Sequence, residues 1–152
     1  MFLVSNRYQS WVENPGLALL CQGEPGAGKT VLASAVVQDL EVRFGRNKDV
    51  GIAYFYLDSQ RREEQKKPGE LPLSLVKQLL QCRSTLPRGV GDRYRYTSAF
   101  WNPPGWLEIL TLLGLVVGEF ARVFVVVDAL DEGCASYRTA FLRASEASGP
   151  VR

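Results

Sequence analysis

Gly23-Glu24-Pro25-Gly26-Ala27-Gly28-Lys29-Thr30 satisfies G-x-x-x-x-G-K-[ST], the spacing of a phosphate-binding loop. The pattern carries that meaning only between a buried strand and the start of a helix, and the flanks read as both. Upstream, residues 16–22 (Gly-Leu-Ala-Leu-Leu-Cys-Gln) are a continuous apolar run that predicts a strand buried on both faces of a parallel sheet. Downstream, Leu32, Val36 and Leu40, with Ala33, Val37 and Phe44 beside them, recur at helical spacing. Gly45 stands where a helix end takes a left-handed residue. Gly26 and Gly28 would let the backbone curl until successive N–H groups point inward at an anion, reinforced by the positive end of the helix. Lys29 is then expected to reach the β- and γ-phosphates of a nucleotide, and Thr30 to place its hydroxyl on Mg²⁺. A plain turn has no use for three glycines followed by Lys-Thr.

The complementary half is Val123-Phe124-Val125-Val126-Val127-Asp128-Ala129-Leu130-Asp131-Glu132. Its apolar residues predict the strongest strand of the chain, which delivers Asp128 to the carboxyl edge, where ligands of open α/β sheets bind. Asp128 is therefore expected to hold Mg²⁺, directly or through its waters, opposite Thr30. Asp131 or Glu132 is expected near the γ-phosphate, as the carboxylate that orients and deprotonates an attacking water. An apolar strand ending in Asp is common in isolation; the upstream loop gives this one its meaning.

Between the two halves, residues 52–57 (Ile-Ala-Tyr-Phe-Tyr-Leu) read as another interior strand closed by Asp58. Residues 59–70 are charged throughout and read as an exposed loop, with Arg61, Arg62, Lys66 and Lys67 on a solvated face. After Pro72 a helical face of Leu75, Val76, Leu79 and Leu80 runs to Gln81, and residues 83–102 form a long connection. Asn102, Pro103 and Pro104 open a helix with Ile109, Leu112, Leu113, Val116 and Phe120 toward the core. A weak helix follows Ala135 through Phe141 and Leu142. Strands alternating with helices predict an α/β fold, a parallel sheet with helices on both faces.

Composition narrows the chemistry. The 152 residues are 46% hydrophobic and 22% charged, which suits one compact domain over 1–152. A net charge of +2 makes no case for nucleic acid, so Arg93, Tyr94, Arg95 and Tyr96 read as a solvated loop. With no histidine, Ser-His and Cys-His nucleophile pairs and His-containing zinc sites are excluded. Three cysteines without C-x-x-C spacing point to a reducing, cytoplasmic compartment, with Cys21 and Cys134 as small buried residues. Trp11, Trp101 and Trp106 read as packing anchors. The start has too short an apolar run for a signal peptide, and the greasy residues 109–118 are about half of a bilayer span, so no membrane is expected.

Leu19 to Ser34, with Ala53-Tyr54-Phe55-Tyr56, Ser74-Leu75-Val76-Lys77-Gln78-Leu79 and Val125-Val126-Val127-Asp128-Ala129-Leu130-Asp131-Glu132, resembles the NACHT-type NTPase domain of fungal proteins. More narrowly, it is similar to the nephrocystin-3-like N-terminal domain found upstream of ankyrin or other repeats. The resemblance implies a P-loop NTPase of the signal-transducing kind, whose ATP or GTP state switches it between closed and oligomer-competent forms. It also places the phosphate loop on residues 23–30, the metal aspartate on Asp128 and the second acidic pair on Asp131 and Glu132. Gly133 before Cys134 departs from a family pattern in which cysteine often follows that pair directly.

The family's next strand, which carries a sensor arginine and lies between the loop strand and the metal-aspartate strand, is not found, so the domain is expected to be truncated before it. On that reading the isolated chain is marginally stable, with unpaired edges on residues 16–22 and 123–127. The expected function is Mg²⁺-dependent binding of ATP or GTP with slow hydrolysis. The rivals are a small-molecule P-loop kinase with Arg61 and Arg62 on a lid, and a nucleotide-binding or scaffold fragment without hydrolysis.

Overall fold

The structure is a computed structural model that describes residues 2–56, 70–83, 90–91 and 105–129, and the statements below concern these residues. Two parallel strands, β1 (Val50–Tyr56) and β2 (Arg122–Asp128), pair from Val50 opposite Arg122 to Tyr56 opposite Asp128. Side chains alternate across the pleat, so this register sorts the apolar residues into two faces. Ala53 and Phe55 lie with Val123, Val125 and Val127 on one face, and Val50 and Ile52 lie with Phe124 and Val126 on the other.

Each face has its own helices. The first is covered by α3 (Glu70–Gln81) and α4 (Trp106–Val117), which bury Leu71, Leu75, Val76, Leu79, Leu112 and Val116, with Phe120 just beyond α4. The second is covered by α1 (Asn6–Glu13) and α2 (Lys29–Phe44) through Tyr8, Val12, Val36 and Leu40. The fold is mixed α/β, with a two-stranded parallel sheet between helical layers among the described residues. The helical faces expected for α2, α3 and α4 are the ones buried. The strand β1 begins two residues earlier than expected.

Close packing sets the spacing of the first layer. A Cβ added at Gly51 would lie 2.7 Å from Leu79 Cδ2 and 3.3 Å from the Phe120 ring, so glycine lets α3 approach the sheet. Gln78 of α3 meets the outer edge of β1: its side-chain amide accepts from Tyr54 N–H (3.0 Å) and donates to Tyr54 C=O (2.7 Å). One side chain thus supplies both hydrogen bonds that a neighbouring strand would offer that residue.

The helix α1 was not anticipated. Ser5 caps it by accepting from Tyr8 N–H at 3.4 Å, and its Tyr8, Trp11 and Val12 reach the core. Tyr8 is fully buried, donates its hydroxyl to Asp39 of α2 at 2.7 Å, and Asp39 pairs with Arg43 at 2.7 Å. Burial first, and then the Asp39 carboxylate, push the Tyr8 phenol well above its ordinary 10.0. Trp11 and Phe44 flank the Phe124 ring at centroid distances of 5.4 and 5.3 Å.

Three expectations are corrected. Residues 17–24 form no strand: Leu17 and Leu20 are 38% and 74% exposed, and only Leu19 of the 16–22 run packs against the core. Apolar composition favours burial, but a strand also needs a neighbour's free backbone groups, and no described strand lies beside this run. Gly45 is right-handed (φ −60°) because the chain leaves α2 through a further right-handed turn, with Asn47 N–H bonded to Phe44 C=O at 2.8 Å. Cys21 is exposed, as is Cys82, because the strand that would have buried Cys21 does not form. The readings on residues 59–69, Arg93, Tyr94, Arg95, Tyr96, Trp101, Cys134 and the tail lie outside the described residues. No helix among the described residues is long and apolar enough to cross a membrane.

Candidate phosphate and metal site

The loop at residues 23–30 runs into α2 through two left-handed glycines, Gly26 (φ 83°) and Gly28 (φ 82°). A Cβ at either would meet nothing within 4 Å, so backbone conformation rather than space calls for glycine there. Gly28 is the N-cap of α2 and offers no side chain to the first-turn amides, which leaves those donors turned toward the loop. Within the loop, Ala27 N–H is bonded to Glu24 C=O at 3.1 Å. Lys29 folds back over the loop, donating from Nζ to Gly23 C=O (2.7 Å) and Glu24 C=O (3.4 Å). Its ammonium is thus held by two carbonyls of the loop that the motif assigns to phosphate.

Asp128 is the last residue of β2 and, among the described residues, the one buried charged side chain, at 8% exposed. No hydrogen bond or ion pair to its carboxylate is found among the described residues. Although the residue is mostly buried, no side-chain oxygen or nitrogen among the described residues is both sealed from water and without a hydrogen bond, so the carboxylate oxygens reach solvent at this edge, where a cation could bind them. The donor set fits Mg²⁺, which binds through one or two protein oxygens and takes its remaining ligands from phosphate and water. Among the described residues no group of three or more His, Cys, Asp or Glu is placed to hold a metal ion. Immediately after Asp128, Ala129 adopts a left-handed φ of 57°, uncommon for a residue other than glycine.

A third element joins these two. Tyr56, opposite Asp128 in register and on the same face of the sheet, places its hydroxyl 3.3 Å from Ser34 Oγ. Ser34 Oγ in turn donates to Thr30 C=O at 3.0 Å. Because the one serine proton is used there, Tyr56 is the donor to Ser34. The Tyr54 ring meets the Tyr56 ring edge-on at 5.7 Å and steadies it. The first turns of α2 are thereby tied to the carboxyl end of the strand next to Asp128.

Of the residues expected at the site, Gly23, Glu24, Pro25, Gly26, Ala27, Gly28, Lys29 and Thr30 form one exposed loop and helix start. Asp128 sits on the sheet face that α2 covers. No direct bond joins Thr30 to Asp128 among the described residues; the connection runs through Ser34 and Tyr56. Asp131 and Glu132 lie outside the described residues. Tyr56 and Ser34 were missed, although their signal was present: a polar-tipped aromatic at a strand end, and a serine one helical turn beyond the motif threonine.

The model of the family described as nephrocystin 3, N-terminal, matches residues 1–148, so the chain belongs to that family. No curated protein and no solved structure matches it.

Proposed function

We propose that this member of the nephrocystin 3 N-terminal family is a P-loop NTPase core of the NACHT type, binding ATP or GTP with Mg²⁺ and hydrolysing it slowly as a signalling switch. The observation that carries the reading is the pairing of a G-x-x-x-x-G-K-T loop, with two left-handed glycines at a helix start, with a mostly buried aspartate at the carboxyl edge of the sheet beneath that helix. Neither half alone would suffice.

In this mechanism the first-turn amides of α2 and the loop amides cradle the phosphates. Lys29 exchanges Gly23 C=O and Glu24 C=O for phosphate oxygens, so the cation is already at the loop when nucleotide arrives. Thr30 and Asp128 would hold Mg²⁺, which when bound neutralises charge on the phosphates. Asp131 or Glu132 takes the proton of the attacking water.

Calorimetric titration with ATP and GTP, each with Mg²⁺, tests the reading, together with phosphate release in the absence of any acceptor. Saturable binding that is weakened roughly 10- to 100-fold in Lys29→Ala is expected. Equal affinity in that variant would remove the site assignment. Transfer to an added hydroxyl compound without phosphate release would replace hydrolysis with kinase chemistry.

A further inference from the structure

We propose that Tyr56 is a positioning residue of the nucleotide site, its hydroxyl acting through Ser34 to set the separation between Thr30 and Asp128; the inference rests on the phosphate-loop reading above. The argument begins with how α2 is held. From Val36 onward the helix is fixed by apolar packing, with Val36 and Leu40 buried and Phe44 stacked on Phe124 at 5.3 Å. Toward the loop that packing thins: Val31 is 74% exposed and Ser34 is exposed. The bond from Tyr56 to Ser34 is the one side-chain hydrogen bond between α2 and the sheet among the described residues, and it lies at this loosely packed end.

The leverage is geometric. Thr30 precedes Val36 by six residues, roughly 9 Å of helix, so a tilt of about 5° about Val36 moves Thr30 by roughly 0.8 Å. Mg²⁺ demands near-ideal octahedral ligation at about 2.0–2.1 Å, which such a shift spoils. Phosphate held by the loop amides and Lys29 is less affected, because those groups move together with the start of α2. Tyr56 also stands opposite Asp128 in the ladder, so the tie references the helix to the strand that carries the other expected metal ligand. Its hydroxyl, rather than its ring, is the working part.

The test is Tyr56→Phe in the full chain, titrated with ATP and with GTP, in chelator and over a series of Mg²⁺ concentrations. The affinity in chelator is expected to match wild type, while the Mg²⁺ concentration for half-maximal tightening rises about three- to tenfold, as for loss of one ordinary hydrogen bond. Ser34→Ala should give the same rise, the double variant no more than either alone, and Ser34→Thr, which keeps a hydroxyl, wild-type behaviour. In the nucleotide-free, metal-free protein, Tyr56→Phe should also speed hydrogen exchange at amides 33 and 34 and leave those of 40–44 unchanged. Wild-type Mg²⁺ dependence in Tyr56→Phe overturns the proposal, as does equal weakening with and without Mg²⁺, which would mean general loosening. A wild-type chain that binds no nucleotide, or a Lys29→Ala variant that binds as well as wild type, is a different failure: it removes the phosphate-loop reading.

Discussion

Residues 17–21 and 123–127 are both continuous apolar runs of five, yet the chain treats them in opposite ways. In β2, Phe124 is 3% exposed between two aromatic neighbours, whereas in the earlier run Leu20 is 74% exposed. The difference lies in the neighbours. The strand β2 has β1 beside it in a seven-residue parallel ladder and a helical layer on each face, so pairing along one edge and apolar burial reinforce each other. The earlier run has no described strand beside it. Stability is thus concentrated in the sheet and its two layers, while residues 17–28 are irregular and mostly exposed.

The largest effect that would sharpen this contrast is Phe124→Ala, expected to cost about 3–5 kcal/mol in urea unfolding. A loss below about 1 kcal/mol would mean that the core is not centred on β2. Next comes Lys29→Ala, which should weaken nucleotide binding roughly 10- to 100-fold, the range for a charge-assisted hydrogen bond, and shift stability by no more than about 0.5 kcal/mol. A large drop in stability would show that the bonds from Lys29 to Gly23 and Glu24 are structural rather than held in reserve.

Tyr8→Phe probes the α1 side of the core through pH. The folded chain holds the Tyr8 proton more tightly than the unfolded chain, whose phenol titrates near 10.0. The linked stabilisation is therefore complete below pH 10.0 and falls as pH rises above it, by at most about 1.4 kcal/mol per pH unit. Unfolding measured from neutral to alkaline pH should show a shallower alkaline decline in the variant; superimposable profiles would dismiss the linkage. The smallest effect belongs to Leu20→Ala, expected within about 0.5 kcal/mol of wild type because the side chain is already in water. Destabilisation comparable to that of Phe124→Ala would place residues 17–21 in a packed environment after all.

What the sequence discloses follows the range of each interaction. The faces of α2, α3 and α4 and the course of β2 were legible because a repeating apolar pattern is a local property that any buried element must satisfy. The run at 16–22 misled because burial tendency is local and strand pairing is not. Gly45 misled because the turn that follows α2 decides its conformation. The left-handed glycines of the loop and the place of Asp128 at the end of β2 agree with what the motif spacing predicts for the backbone. The tie from Tyr56 to Ser34 was not legible, since its partners are 22 residues apart and meet only through the placement of α2 on the sheet. Likewise Ser5 and Tyr8 carried a capping and packing signal, but Tyr8 gains its meaning only when Asp39 arrives from another helix.

The amide of Gln78 has a bearing on colloidal behaviour. A bare strand edge is a template onto which a foreign strand can add, and successive additions lead to fibrils or amorphous deposits. By occupying both backbone groups of Tyr54, Gln78 interrupts that template midway along β1 and leaves shorter stretches on either side. Gln78→Leu keeps much of the side-chain volume and removes the interruption. Light scattering of concentrated solutions should then rise with protein concentration and time in the variant and stay flat in wild type.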